Sequence, residues 1–306
     1  MQTTSHILMI RPVAFGLNMQ TVDSNAFQNK AALQLNVQEN ALLEFDDLVD
    51  KLRKVGIDVI VIEDTLFPHK PDSIFPNNWV SFHNDGTVFL YPMEAENRRA
   101  ERRLEIIDQL RERFLVSDIV DFSDYEKQNK FLEGTGSMVL DRDHKIAYAC
   151  LSSRTHPEVL DSFCCKNGYT ALTFEAFDEH QKPIYHTNVM MCMGDDFVVI
   201  CLETITNLLE RNLLIESFKS TNKEIINLSF DQLKHYAGNM LMVENKAREK
   251  FLIMSESAFR ILSEEQKQQI ERYAKIIYAD LKTIEENGGG SARCMLAEVH
   301  LPLIIK

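Results

Sequence analysis

Five residues of this 306-residue chain stand at nearly equal spacing: Asn78, Glu133, His186, Asn239 and Cys294, separated by 55, 53, 53 and 55 positions. Three of them are the types covalent catalysis needs: a thiol nucleophile, an imidazole acid/base, and a carboxylate that orients or stabilises charge. A single histidine or glutamate is usually a surface or structural residue. Their coincidence at equivalent positions of a repeat is what points to chemistry. Asn239 reads equally as a turn former or a substrate contact. Cys294 follows Asn287-Gly288-Gly289-Gly290-Ser291-Ala292-Arg293. Three successive glycines are costly in helix or strand, so a chain keeps them for unusual backbone angles or for close approach. A thiol at the mouth of a strand beneath such a loop is placed as a nucleophile; the alternative is a flexible turn followed by a buried cysteine. Cys164-Cys165 lies on a helix without a histidine partner, and His83, His144 and His156 read as turn or hairpin residues. With no glycine-rich phosphate loop and no metal-ligand cluster, the expectation is an enzyme without metal or cofactor.

The elements that would position these residues recur. Residues 6–10 read as a buried strand, 27–54 as a helix carrying Leu33, Val37, Leu42, Leu43, Leu48, Val49 and Leu52, and 57–62 as a second strand. Residues 79–92 form a hairpin about Asn84-Asp85-Gly86, 94–114 a charged helix, and 116–122 a strand. The same order follows three more times. Hairpins turn at Arg142-Asp143-His144, near Gly194-Asp195-Asp196, and within 239–254. Helices are expected over 156–166 and 206–219, helical segments over 257–273, and strands over 169–174, 224–228 and 275–278. One unit of hairpin, helix and strand cannot bury its own faces, so the units must pack together. A fifth unit assembles if a strand starting at Cys294 pairs with the strand at His6, which would close a ring and remove open edges. The predicted fold is α/β: a ring of five ββαβ units, a five-fold pseudo-symmetric propeller, with both chain ends in one unit and residues 1–306 as one domain.

Composition narrows the partners. Hydrophobic content of 45% supports a substantial core, and 46 acidic against 33 basic residues give a charge of −13. That balance argues against nucleic acid and anionic membranes, leaving small molecules as the expected partners. The six cysteines have neither the density nor the spacing of a disulfide framework. With no signal segment or membrane-length apolar run, a cytoplasmic location is expected. A homodimer is expected only from the prevalence of symmetric oligomers.

Taken together, Leu132-Glu133-Gly134, Tyr185-His186, Gly288-Gly289-Gly290 ahead of Cys294, Leu151-Ser152-Ser153-Arg154-Thr155 and the segment from Asp72 to Asn78 resemble the guanidine-modifying, or pentein, superfamily. That group includes arginine and agmatine deiminases, dimethylarginine dimethylaminohydrolase, succinylarginine dihydrolase and the amidinotransferases, and the likeness spans nearly the whole chain. Its fold is a ring of five ββαβ units. The resemblance implies that Cys294 attacks the central carbon of a guanidine or ureido group and that His186 protonates the leaving amine and then activates water. It implies that Glu133 holds a substrate nitrogen and favours the imidazolium of His186, that Arg154 pairs with the substrate carboxylate and that Asp72 takes its amino end. Arg293 would help with the carboxylate or be structural. Two departures bear on specificity. Arginine deiminases commonly hold the guanidinium with two aspartates, where this chain has Asn78 and Asn188. An amide offers a donor and an acceptor, which suits a neutral ureido group. The expected activity is therefore hydrolysis of citrulline to ornithine, carbon dioxide and ammonia, as in citrulline utilisation hydrolases. Arginine deiminase or (succinyl)arginine dihydrolase is the alternative within the group, and a non-catalytic binding protein of the same ring architecture the alternative outside it.

Overall fold

The architecture comes from a computed structural model that describes residues 1–22, 25 and 36–304. In chain order the elements begin with β1 (His6–Arg11), α1 (Val37–Lys54) and β2 (Asp58–Glu63). The next unit is β3 (Val80–Phe82), β4 (Thr87–Leu90), α2 (Leu104–Leu110) and β5 (Asp118–Asp121). Then come the single turn α3 (Gly134–Ser137), β6 (Val139–Asp141), β7 (Ile146–Cys150), α4 (Pro157–Asn167) and β8 (Thr170–Phe174). The single turn α5 (Thr187–Met190) leads into β9 (Met191–Met193), β10 (Phe197–Ile200), α6 (Leu208–Ser220) and β11 (Glu224–Asn227). After α7 (Phe230–Lys234) follow β12 (Leu241–Glu244), β13 (Lys250–Ser255), α8 (Glu256–Ile261), α9 (Glu264–Glu271) and β14 (Lys275–Ala279). The chain finishes with α10 (Lys282–Gly288) and β15 (Ala297–Glu298).

Five three-stranded sheets result, β3-β4-β5, β6-β7-β8, β11-β10-β9, β12-β13-β14 and β15-β1-β2. In each, the middle strand pairs antiparallel with one edge strand, its hairpin partner in four sheets and β15 in the fifth, and parallel with the strand that returns after the helix, as the repeat predicts. The C-terminal strand meets the N-terminal one through Ile7 opposite Glu298 and Leu8 opposite Ala297. Middle strands buried on both faces read as continuous apolar runs, such as Phe197–Ile200, and cannot be amphipathic. Helix α1 shows the opposite logic: Ala41, Phe45, Leu48, Val49 and Leu52 line one buried stripe while Leu43 points outward at 70% exposure. Each apolar cluster draws on neighbouring units; Val243 and Ile253 of one sheet pack with Met9 and Val59 of the next, and Leu8 and Ile10 with Val80 and Val88.

Two expected elements differ. Residues 94–114 are not one helix but a 3-10 segment, Glu96–Glu101, followed by α2, because Arg98 and Glu101 turn inward and are buried rather than solvated. The helical segments expected over 257–273 are α8 and α9, divided at Ser263, whose side chain and Gln266 form a capping box that starts α9. Asn287 and Gly288 are the end of α10, not loop, and the strand starts at Ala297 instead of at Cys294, which sits in the 3-10 turn Ala292–Met295. The first part of the helix expected over 27–54, with Leu33, lies outside the described residues. Among the described residues no helix is long and apolar enough to cross a membrane, and no group of three or more His, Cys, Asp or Glu could hold a metal ion.

Candidate active site

Four of the five equally spaced residues lie in or directly before a single helical turn that opens its unit's hairpin. Asn78 ends the turn Pro76–Asn78, Glu133 precedes α3, His186 precedes α5, and Cys294 lies in Ala292–Met295. Asn239 ends an irregular turn whose N–H bonds to Tyr236 O at 2.8 Å. The close approach of these turns explains several glycines. A Cβ at Gly136 would meet Asn78 Nδ2 at 2.3 Å and His186 Nδ1 at 2.9 Å, and Gly134, at φ +49°, presses against Asn77 O. The glycines ahead of Cys294 are equally constrained. Gly289 is left-handed at φ 63°, and Cβ atoms at Gly288 and Gly290 would strike the Phe75 ring at 2.7 and 2.9 Å. The space above the thiol is therefore filled by Phe75, not left open.

Cys294, His186, Asp72, Asn78, Arg154 and the three glycines line one cavity of ≈ 20 Å³, about the volume one water fills. Glu133, fully buried, accepts from His186 Nε2 at 2.9 Å and from Glu94 N at 3.0 Å, with Arg154 at 3.6 Å and Arg98 at 3.8 Å. Burial works to raise its pKa, but Arg154, the His186 bond and Arg98 outweigh that and hold the carboxyl well below the usual carboxylate range. For His186 burial dominates, and with Arg154 and Arg98 adding it takes the imidazole down to about 4 against the pull of Glu133. The expectation that Glu133 keeps His186 an imidazolium is therefore not met: two buried guanidiniums share the carboxylate, and the ring is neutral at neutral pH.

Stabilisation of the sulfur comes instead from amides. Asn239 Oδ1 accepts the N–H of Arg293 at 3.1 Å, which fixes the flip of that amide. Its Nδ2 then donates to Asn188 O at 2.9 Å and faces Cys294 Sγ at 3.3 Å. Asn188 Nδ2 approaches the same sulfur at 3.6 Å. Burial drives the Cys150 and Cys192 thiols up to about 12, which removes them as nucleophiles at neutral pH. The side chain of Arg293 turns away from this cavity into a buried ion pair with Glu298 at 2.8 Å, which gives it the structural role and not the carboxylate-binding one.

Arg98 was hidden in the sequence and stands at the centre of the site. It binds Glu101 with two contacts of 2.9 Å, donates to Asn78 Oδ1 at 3.1 Å, and lies 3.7 Å from Asp72. Nothing local in the sequence distinguishes it from the neighbouring half-buried arginines Arg99, Arg102 and Arg103; the break in the expected helix, invisible in the charge pattern, turns it inward. Asp72 accepts from Asn18 at 2.7 Å, and burial, partly countered by Arg98, raises its pKa. Arg154 donates to Glu94 at 3.1 Å and stacks on the Tyr185 ring at 4.8 Å. Among the described residues, the buried side-chain atoms lacking a hydrogen-bond partner are Asp72 Oδ1, Ser73 Oγ, both polar atoms of Asn77, Asn78 Nδ2 and Asn188 Oδ1. Such atoms are costly unless something supplies the partner, and they gather in the segment from Asp72 to Asn78 and at Asn188.

Five three-stranded sheets are consistent with five repeated units, and comparisons with known proteins place the chain among the guanidine-modifying enzymes. Residues 11–301 match the family described as N,N dimethylarginine dimethylhydrolase, eukaryotic. The chain belongs to that family, and so to a superfamily of enzymes that includes hydrolases of guanidino C–N bonds. No curated protein gave a significant sequence match. Among solved structures, the N-terminal domain of ArgZ, a cyanobacterial arginine dihydrolase, in covalent complex with a reaction intermediate aligns over 98% of this chain and 99% of its own, with TM-score 0.76 and 16% identity. AgrE in complex with L-arginine aligns at TM-score 0.76 and 15% identity over 98% of this chain, which spans 41% of that longer protein. A dimethylarginine dimethylaminohydrolase adduct with S-methyl-L-thiocitrulline aligns at TM-score 0.66 and 16% identity, over 97% of this chain and 99% of the other. At these identities the likeness is one of fold.

Proposed function

We propose that this chain is a cysteine hydrolase of a ureido amino acid, with citrulline as the substrate that fits best, and that its five sheets form a closed single-domain ring with Cys294, His186 and Glu133 on the axis. The orientation of Asn78 carries the substrate reading. Arg98 can only donate, so Asn78 Oδ1 must face it, and the amide turns its Nδ2 donor, otherwise unpartnered, away from it. A guanidinium has no acceptor for that donor. A ureido oxygen does, and the ureido NH₂ suits the unpartnered Asn188 Oδ1. Asp72 Oδ1 and Arg154 remain for the amino and carboxylate ends.

Neutral His186 takes the thiol proton as Cys294 Sγ attacks the ureido carbon, with Asn239 and Asn188 donating to the sulfur. The tetrahedral adduct collapses when the C–N bond to the ornithine side chain breaks, and His186 returns its proton to that departing amine. A carbamoyl thioester remains on Cys294. Water, deprotonated by His186, attacks its carbon; the C–S bond breaks, the thiol is restored, and the carbamic acid released decomposes to carbon dioxide and ammonia. Glu133 holds the imidazole through Nε2 and stabilises it when charged. The cavity is too small for an amino acid, so admission requires its cover, which includes Thr21, Asn25 and Phe75, to shift.

Arginine dihydrolysis is the second reading, favoured by the ionised Glu133 and the open acceptor on Asp72, and by the likeness to ArgZ and AgrE. Incubation with citrulline and arginine separately, with ornithine, citrulline and ammonia measured, separates the two. Ornithine from citrulline with arginine inert supports the ureido reading. Ornithine and two ammonia per arginine consumed, with added citrulline untouched, removes it in favour of dihydrolysis; citrulline accumulating from arginine, itself untouched, removes it in favour of deimination.

A further inference from the structure

One contact ties the turn of Cys294 to the helix before it, and the chemistry above does not use it. Glu285 on α10 is 6% exposed, and its Oε1 accepts the Ser291 hydroxyl at 2.6 Å. Between the two stand the three glycines, which have no side chains of their own to anchor the segment, and of which Gly288 and Gly290 pack against the Phe75 ring. Ser291, fully buried, in turn accepts the N–H of Cys294 on its carbonyl at 3.0 Å. The path from the helix to the thiol is thus one carboxyl–hydroxyl bond and one turn bond. At the other end Glu285 O is held twice, by Gly289 N at 2.9 Å and by the Tyr236 hydroxyl at 3.0 Å.

We propose that Glu285 is a positioning residue for Cys294: through Ser291 it latches the far side of the glycine hinge and so fixes where the sulfur sits. The proposal rests on the reading of Cys294 as nucleophile. Burial, with Glu44 and Asp280 adding and Ser291 and Ser255 opposing, brings the Glu285 carboxyl up to about 7. Glu44 faces it from α1, Asp280 from the turn before α10, and Ser255 from the end of β13; the outer cleft of ≈ 820 Å³ that Glu285 borders adds Glu256, Arg260, Lys282 and Glu286. An ionised carboxylate holds a hydroxyl more strongly than the neutral acid, so the latch tightens as pH rises through that range.

The test compares Glu285→Gln, Glu285→Leu and Ser291→Ala with the parent in two readouts: steady-state turnover, and the rate at which iodoacetamide alkylates Cys294, mapped by mass spectrometry. Glu285→Gln keeps an acceptor for Ser291, so it is expected to stay within about threefold of the parent in kcat and to lose the inflection near pH 7. Glu285→Leu and Ser291→Ala should lose about tenfold or more in kcat and in alkylation rate, with KM within about threefold and the circular dichroism unchanged. Should Ser291→Ala keep both rates within about twofold, the latch is refuted, even if Glu285→Leu fails to fold. Full activity in Cys294→Ala would instead remove the nucleophile reading itself, an outcome distinct from failure of the latch.

Discussion

At the scale of single residues, the site is a set of buried charges whose balance differs from what residue types alone suggest. Cysteine, histidine and glutamate announce themselves by spacing, but their protonation states depend on Arg98 and Arg154, which share Glu133 and leave His186 neutral. A base must be neutral to act, so kcat/KM should fall on the acid side only near pH 4, and a pH–rate profile still high at pH 5.5 checks this. His186→Ala should cost about 10²–10⁴ in kcat. Asn78→Asp replaces the Nδ2 donor turned away from Arg98 with a second acceptor, and with Asn188→Asp it should shift the arginine-to-citrulline ratio of kcat/KM by about tenfold or more towards the cation. An unchanged ratio would show that these amides do not select the substrate. Spacing revealed Asn78, Glu133, His186, Asn239 and Cys294 because a repeat puts equivalent residues in equivalent places. Arg98, Glu101 and Asn18 fall outside the repeat, so no periodicity could reveal them.

At the scale of elements, the short turns that lead into the units explain why the chemistry sits where chains pass closest. The order of strand, helix and strand was legible because buried strands and one-sided helices have different periods. Breaks were not. The run from Glu94 to Phe114 carries charges on every side, and charge alone does not tell a solvated face from an arginine buried against Glu101. The three glycines were read as a sign of close approach, and the structure names the neighbour as Phe75. Gly288→Ala should therefore destabilise the fold by about 1–3 kcal/mol through overpacking. Combining it with Phe75→Leu should recover part of that loss, a non-additivity that urea denaturation of the four species measures.

At the scale of the whole molecule, neighbouring sheets share their apolar clusters, and buried ion pairs join the units where side chains meet. Glu298 of β15 accepts from Arg293 at 2.8 Å and lies 3.5 Å from Arg142, between β6 and β7, so it ties three segments far apart in sequence. Glu298→Leu should cost about 3–5 kcal/mol in urea denaturation, because it leaves two guanidiniums buried without their partner. Acid should weaken the whole fold. Unfolded, His186 takes up a proton near its ordinary 6.5, whereas folded it does so only near 4. Between these values the unfolded chain binds more protons, and stability falls as pH falls. Glu133 adds to this from its ordinary 4.5 downward, since its folded pKa is depressed. His186→Gln should flatten the decline between pH 6.5 and 4, as read from urea midpoints.

The central claim is that Cys294 is carbamoylated by a neutral ureido substrate, and the covalent intermediate tests it most directly. Protein mixed with citrulline, quenched in acid within the first turnovers and digested, should carry a carbamoyl group on the peptide containing Cys294, with ornithine released in equal amount. An unmodified Cys294 under citrulline, together with an S-alkylthiouronium adduct that keeps the ornithine side chain under arginine and citrulline as the product set free, would contradict the account.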